Sequence, residues 1–99
     1  MNIIATDCGD YTRLMVEGRV DTNTSPQFQA AILNTYQKSK NVVVDFLNVV
    51  YISSAGLRAL LIGKKTSDAK GGTFKLTNVN ATVKSVLDMS GFSKIIDIV

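Results

Sequence analysis

The segment Asn41–Ile52, NVVVDFLNVVYI, limits the fold more than any other part of this chain. Val42, Val43 and Val44 are β-branched, stiff at χ1 and suited to a pleated surface. The run does not alternate with polar residues, which predicts a strand buried on both faces of a sheet. Asp45 interrupts it. An ionised carboxylate in such a strand must lie near the strand end or be hydrogen-bonded, so on the residues alone Asp45 reads as a strand-end aspartate bonded to a neighbouring loop.

The flanking segments supply the rest of such a sheet. NIIAT and YTRLMVEGRV read as two strands joined through DCGD, with Gly9 and Asp10 suited to a hairpin turn. DTNTSPQF follows, and Ser25 before Pro26 predicts a helix start with serine at N-cap and proline at N1. Phe28, Ile32 and Tyr36 recur at helical spacing, so this helix is expected to run to about Lys38. A second helix opens near Ala55, buries Leu57, Leu60 and Leu61, and ends at Gly71–Gly72. TFKLTNV alternates as a strand, Asn80 caps a third helix with Val83, Val86 and Leu87 on its apolar stripe, Gly91 stops it, and KIIDIV closes the chain as a strand. The order β-β-α-β-α-β-α-β predicts an α/β domain over residues 1–99: one mixed, mostly parallel sheet with an N-terminal antiparallel hairpin and helices packed on it through right-handed crossovers.

Composition removes several function classes. The 99 residues contain no histidine and a single cysteine, Cys8. That excludes Ser-His-Asp and Cys-His catalysis, an internal disulfide and a cysteine zinc cluster, and no metal or cofactor is expected. There is no phosphate-cradling G-x-x-x-x-G-K-[ST] loop and no G-x-G-x-x-G after a strand. The net charge is +3 with the basic residues scattered, so no nucleic-acid partner is expected. No signal peptide or apolar run of membrane-spanning length is visible, and the expectation is a cytoplasmic protein with no membrane insertion. Asp21 and Asp45 each follow an apolar run, but Asp21 with Thr22 and Asn23 also reads as a turn or cap. An enzyme using the two carboxylates would need a cleft that a domain this small has little room to form.

The stretch Ser53-Ser54-Ala55-Gly56-Leu57 is the remaining candidate site. One serine serves as a helix cap. Glycine in a first helical turn costs about 1 kcal/mol against alanine. Capping does not require it, so Gly56 is read here as leaving the backbone open to a bulky partner. A hydroxyl at a helix N-terminus also suits a phosphate, which adds about −1.5 to −2 charges. On this reading Gly56→Leu leaves the fold intact and impairs modification.

YISSAGLRALL resembles the signature of STAS-domain anti-sigma factor antagonists, the anti-anti-sigma proteins of bacterial partner switching. VVVDFLNVVYISSAGL follows the family pattern of a buried strand bearing an acidic residue, a short loop and a Ser-x-Gly-Leu helix opening. EGRVDTNTSPQF resembles the Gly-x-x-Asp segment before the first helix. GGTFKLTNVNATVKSVLDMSGFSKIIDI resembles the C-terminal third, so the likeness spans the chain. It implies a non-enzymatic switch protein, monomeric when free. The unphosphorylated form binds an anti-sigma factor that is a serine kinase of the histidine-kinase-like ATPase fold, which then releases its client. Phosphorylation on Ser54 ends binding, and a PP2C-type phosphatase reverses it. Ser53 stands where many members carry aspartate, and is the alternative site. The resemblance places Asp21 and Asp45 near Ser54, and Thr22, Tyr51, Ser53, Ala55, Gly56, Leu57 and Arg58 in the surrounding partner-binding surface. The alternative role is a constitutive STAS subunit of a transport ATPase complex.

Overall fold

The computed structural model describes residues Met1–Val99. Strands β1 (Asn2–Asp7) and β2 (Thr12–Val20) form the antiparallel hairpin, turned at Gly9, whose φ of +88° favours glycine. Helix α1 (Ser25–Tyr36) leads to β3 (Asn41–Ile52), α2 (Ser54–Lys70) to β4 (Thr73–Thr77), and α3 (Ala81–Met89), followed by a 3₁₀ turn at Phe92–Lys94, to β5 (Asp97–Ile98). The sheet order is β1-β2-β3-β4-β5, and every pairing after the first is parallel. This is the predicted order of elements, with the final strand cut to two residues.

The strand order explains where the core lies. Each parallel strand is laid down one place further along the sheet, and right-handed crossovers then place all three helices on the same face. Leu14 and Val16, Val42 and Val44, and Phe74 and Leu76 point to that face and are buried. The core also takes Phe28 and Ile32 from α1, Ala59 and Leu60 from α2, and Val83 and Leu87 from α3. Phe28 packs on Phe46 with ring centroids 6.1 Å apart, tying α1 to β3. A fully buried side chain of this kind contributes about 1.5–3 kcal/mol.

One expectation fails here. The valine run is not covered on both faces: Val42 and Val44 are buried under the helices, while Val43 is only half-buried on the open face. The run is continuous in composition, but its burial alternates.

Local signals set most helix ends. Gly71 is left-handed at φ 69° and terminates α2, and Asn80 Oδ1 accepts from Val83 N at 2.9 Å to cap α3. The start of α1 differs from expectation. Ser25 is the first helical residue and is buried, and Thr24 holds the N-cap place without a side-chain cap bond. Asp21 organises the turn instead. Its Oδ1 accepts from Asn23 N at 3.0 Å and Thr24 N at 3.1 Å, which is the turn role that its neighbours suggested. The helix ends at Tyr36, two residues short of the expected Lys38.

Candidate functional site around Ser54

β3 outruns β4. Its pairing with β4 stops at Asp45–Thr77, but it continues beside β2 until Val20 meets Ile52. Ser53 N then donates to Val20 O at 2.8 Å, so the loop after β2 and the start of α2 are locked together. This junction brings Asp21 and Thr22 to the same end of the sheet as Tyr51, Ser53 and Ser54.

The two serines do different things. Ser53 is extended (φ −96°, ψ 176°) and its Oγ accepts from Gly56 N at 3.4 Å, a long N-cap bond. Ser54 is the first residue of α2, is exposed, and its hydroxyl has no hydrogen-bond partner within the chain. Arg58 lies one turn further on and is also exposed, Ala55 is half-buried, and Leu57 packs partly into the core. Tyr51 lies beneath the Arg19 guanidinium, 4.5 Å from ring centroid to cation, and Arg19 is 3.9 Å from Asp21. Leu47 and Val50, 62% and 61% exposed, add an apolar strip along β3. Hydrogen bonds from the backbone of Thr24, and then of Asn23, hold the Asp21 carboxyl below the usual carboxylate range despite its partial desolvation.

Gly56 has a different explanation from the one read in the sequence. It is buried, and a Cβ built on it would lie 2.7 Å from Ile52 Cγ1, 2.7 Å from Val20 Cγ1 and 3.0 Å from Val20 O. The glycine faces the core and lets the first turn of α2 press against the ends of β2 and β3. It does not open the backbone to a partner, and the expectation that Gly56→Leu spares the fold is overturned.

Asp45 is not placed beside Ser54. Seven residue steps along β3 take the chain from Asp45 to Ile52, roughly 20 Å of extended strand. It lies on the open face, 1% exposed, beneath Arg13. Oδ2 accepts from Arg13 Nε at 3.0 Å and from Arg13 Nη2; Oδ1 accepts from Asn78 Nδ2 at 3.1 Å and Leu47 N at 2.9 Å. Burial alone would push this carboxyl up, but the Leu47, Asn78 and Arg13 donors outweigh it and hold it low. The bond to Asn78 joins β3 to the loop after β4, which is the loop bond read from the residues, but Asp45 sits inside β3 and not at its end. The Arg13–Asp45–Asn78 network and the Arg19–Tyr51 stack were not foreseen. Both depend on strand register, which a single sequence carries only weakly.

The STAS domain family model matches residues 3–99. The chain belongs to the STAS domain family. The curated protein "Anti-sigma F factor antagonist" of Paenibacillus polymyxa is 31% identical over 85 residues, covering 84% of this chain and 73% of that protein. Among solved structures, the anti-sigma factor antagonist SpoIIAA in its unphosphorylated form has the same STAS fold. It superposes with a TM-score of 0.84 at 18% identity, over 99% of this chain and 88% of that one. The phosphorylated form of SpoIIAA, the Bacillus cell fate determinant, superposes with a TM-score of 0.75 at 17% identity, over 99% and 91%. No helix is long and apolar enough to cross a membrane.

Proposed function

We propose that this STAS protein is an anti-sigma factor antagonist regulated by phosphorylation on Ser54. The observation that carries the reading is the division of labour at the start of α2: Ser53 is engaged as the cap, whereas Ser54 is exposed with a free hydroxyl. The likeness to antagonists, one of them known in a phosphorylated form, supports it.

In this reading the unmodified surface around Asp21, Thr22, Tyr51, Ser54, Leu57 and Arg58 docks on an anti-sigma factor with serine-kinase activity, which frees its client. The kinase then directs Ser54 Oγ at the γ-phosphorus of ATP. A new P–O bond forms, ADP leaves, and the serine proton passes to a base of the kinase. The phosphoprotein lets go, because a dianion that is not fully neutralised costs several kcal/mol in a close interface, and 1.4 kcal/mol is tenfold in affinity. A PP2C-type phosphatase resets the switch. The chain itself is substrate and ligand, not catalyst. Asp21 remains as the like charge at this end of the sheet, and Asp45 has no part in the repulsion.

Binding of wild type, Ser54→Ala and Ser54→Asp to the cognate kinase tests the reading. Wild type and Ser54→Ala should bind alike, with Ser54→Asp at least tenfold weaker. Equal affinity for all three would overturn it.

A further inference from the structure

Arg58 has no partner in the chain. The ion pairs of the structure are Arg13–Asp45, Arg19–Asp21, Lys64–Asp68 and Lys84–Asp88, and the guanidinium stacked on an aromatic ring belongs to Arg19. Arg58 is exposed and follows Ser54 by four residues in the same regular helix. Residues at i and i+4 are surface neighbours, with Cβ atoms about 5–6 Å apart. Helical side chains lean toward the N-terminus, which carries the Arg58 fork toward position 54. Leu57 is half-buried with one side against the core and leaves that space to Arg58.

From this placement we infer that Arg58 is an intramolecular clamp for the phosphate of phosphorylated Ser54. The inference rests on the reading of Ser54 as the modified residue and adds what the phosphate does afterwards. A planar guanidinium offers two parallel N–H donors to two phosphate oxygens. The pair is idle in the unmodified chain, where serine has no charge to offer. After modification it fixes the dianion across the docking surface and withdraws Arg58 from any partner. Phosphorylation therefore tightens the first turns of α2 and does not melt them.

The test installs phosphoserine at position 54 during translation, so that no kinase is involved, in wild type and in Arg58→Gln. Phosphorus NMR follows the second ionisation of the phosphate, ordinarily near pH 6. It should lie about half a pH unit lower with Arg58 than with glutamine, equivalent to about 0.7 kcal/mol. The difference should vanish near 1 M salt, where the screening length is about 3 Å. The free N–H groups of the helix start, with Arg19 and Asp21 at the end of β2, are common to both proteins, so the difference isolates Arg58. Phosphoserine should also raise the melting temperature of wild type by more than that of Arg58→Gln. Identical titration curves in the two proteins would overturn the inference. A kinase that modified another residue would refute the assignment of Ser54 and leave this titration unchanged, so the two failures are distinguishable.

Discussion

Replacing Gly56 separates packing from access as the reason for that residue. In Gly56→Ala the new methyl lies 2.7 Å from Val20 Cγ1 and from Ile52 Cγ1, well inside the roughly 3.5–4 Å of an unstrained carbon contact. Both neighbours are fully buried and cannot swing into solvent. Overpacking a core costs about 1–3 kcal/mol, and alanine returns about 1 kcal/mol of helix propensity. The net loss is about 1 kcal/mol, which for a chain of this size lowers the melting temperature by about 4–8 °C. Leucine extends the clash with little further gain in propensity, so Gly56→Leu should lose about 3 kcal/mol or more and melt at least about 12 °C lower. Thermal and urea unfolding followed by circular dichroism measure both, with Ser54→Ala as an exposed control expected within about 0.5 kcal/mol of wild type. A Gly56→Leu protein that melts like wild type would refute the packing argument.

Three further predictions follow from the same geometry. Ser53→Ala removes the N-cap acceptor of α2 and should cost about 1 kcal/mol in urea unfolding, more than Ser54→Ala. Asn80→Ala removes the α3 cap and the 2.8 Å bond from Nδ2 to Val49 O, and should lose about 1–2 kcal/mol, with faster amide exchange at Val83 and Lys84. Asp45→Asn should lose about 1–3 kcal/mol at pH 7, because charge-assisted bonds to Arg13 are weakened. The Asp45 carboxyl is depressed in the folded protein, so its contribution is complete above the unfolded value of about 3.9 and disappears as pH falls through the lower folded value. The stability gap between wild type and Asp45→Asn should therefore begin to narrow below about pH 4 and close only once the pH is below the lower folded value.

Elements whose signals are local were legible in the sequence. The Gly9 turn, the Gly71 stop and the Asn80 cap each depend on one residue's backbone preference or side-chain reach, and all three stand where expected. The valine run misled because three adjacent valines look alike in composition, whereas strand order left one face of the sheet open. Position 25 misled because Asp21, four residues earlier, organises the turn that Ser25 was expected to cap. The serine pair stood out in the sequence as a candidate, and the structure separates the capping hydroxyl of Ser53 from the free one of Ser54. Gly56 was noticed as anomalous, but its cause lies in Val20 and Ile52, which are far from it in sequence or on another element and meet it only once β2 and β3 are in register. Asp45 was grouped with Ser54 through the family resemblance, and the length of β3 separates them.

The most direct test of the account is to incubate the protein with its cognate kinase, ATP and magnesium and map the product by intact mass and fragmentation. The account predicts a single phosphate, on Ser54, with none on Ser53 and none in Ser54→Ala. A phosphate on Ser53, or an unmodified Ser54 in a protein that still binds and leaves the kinase on cue, would contradict it.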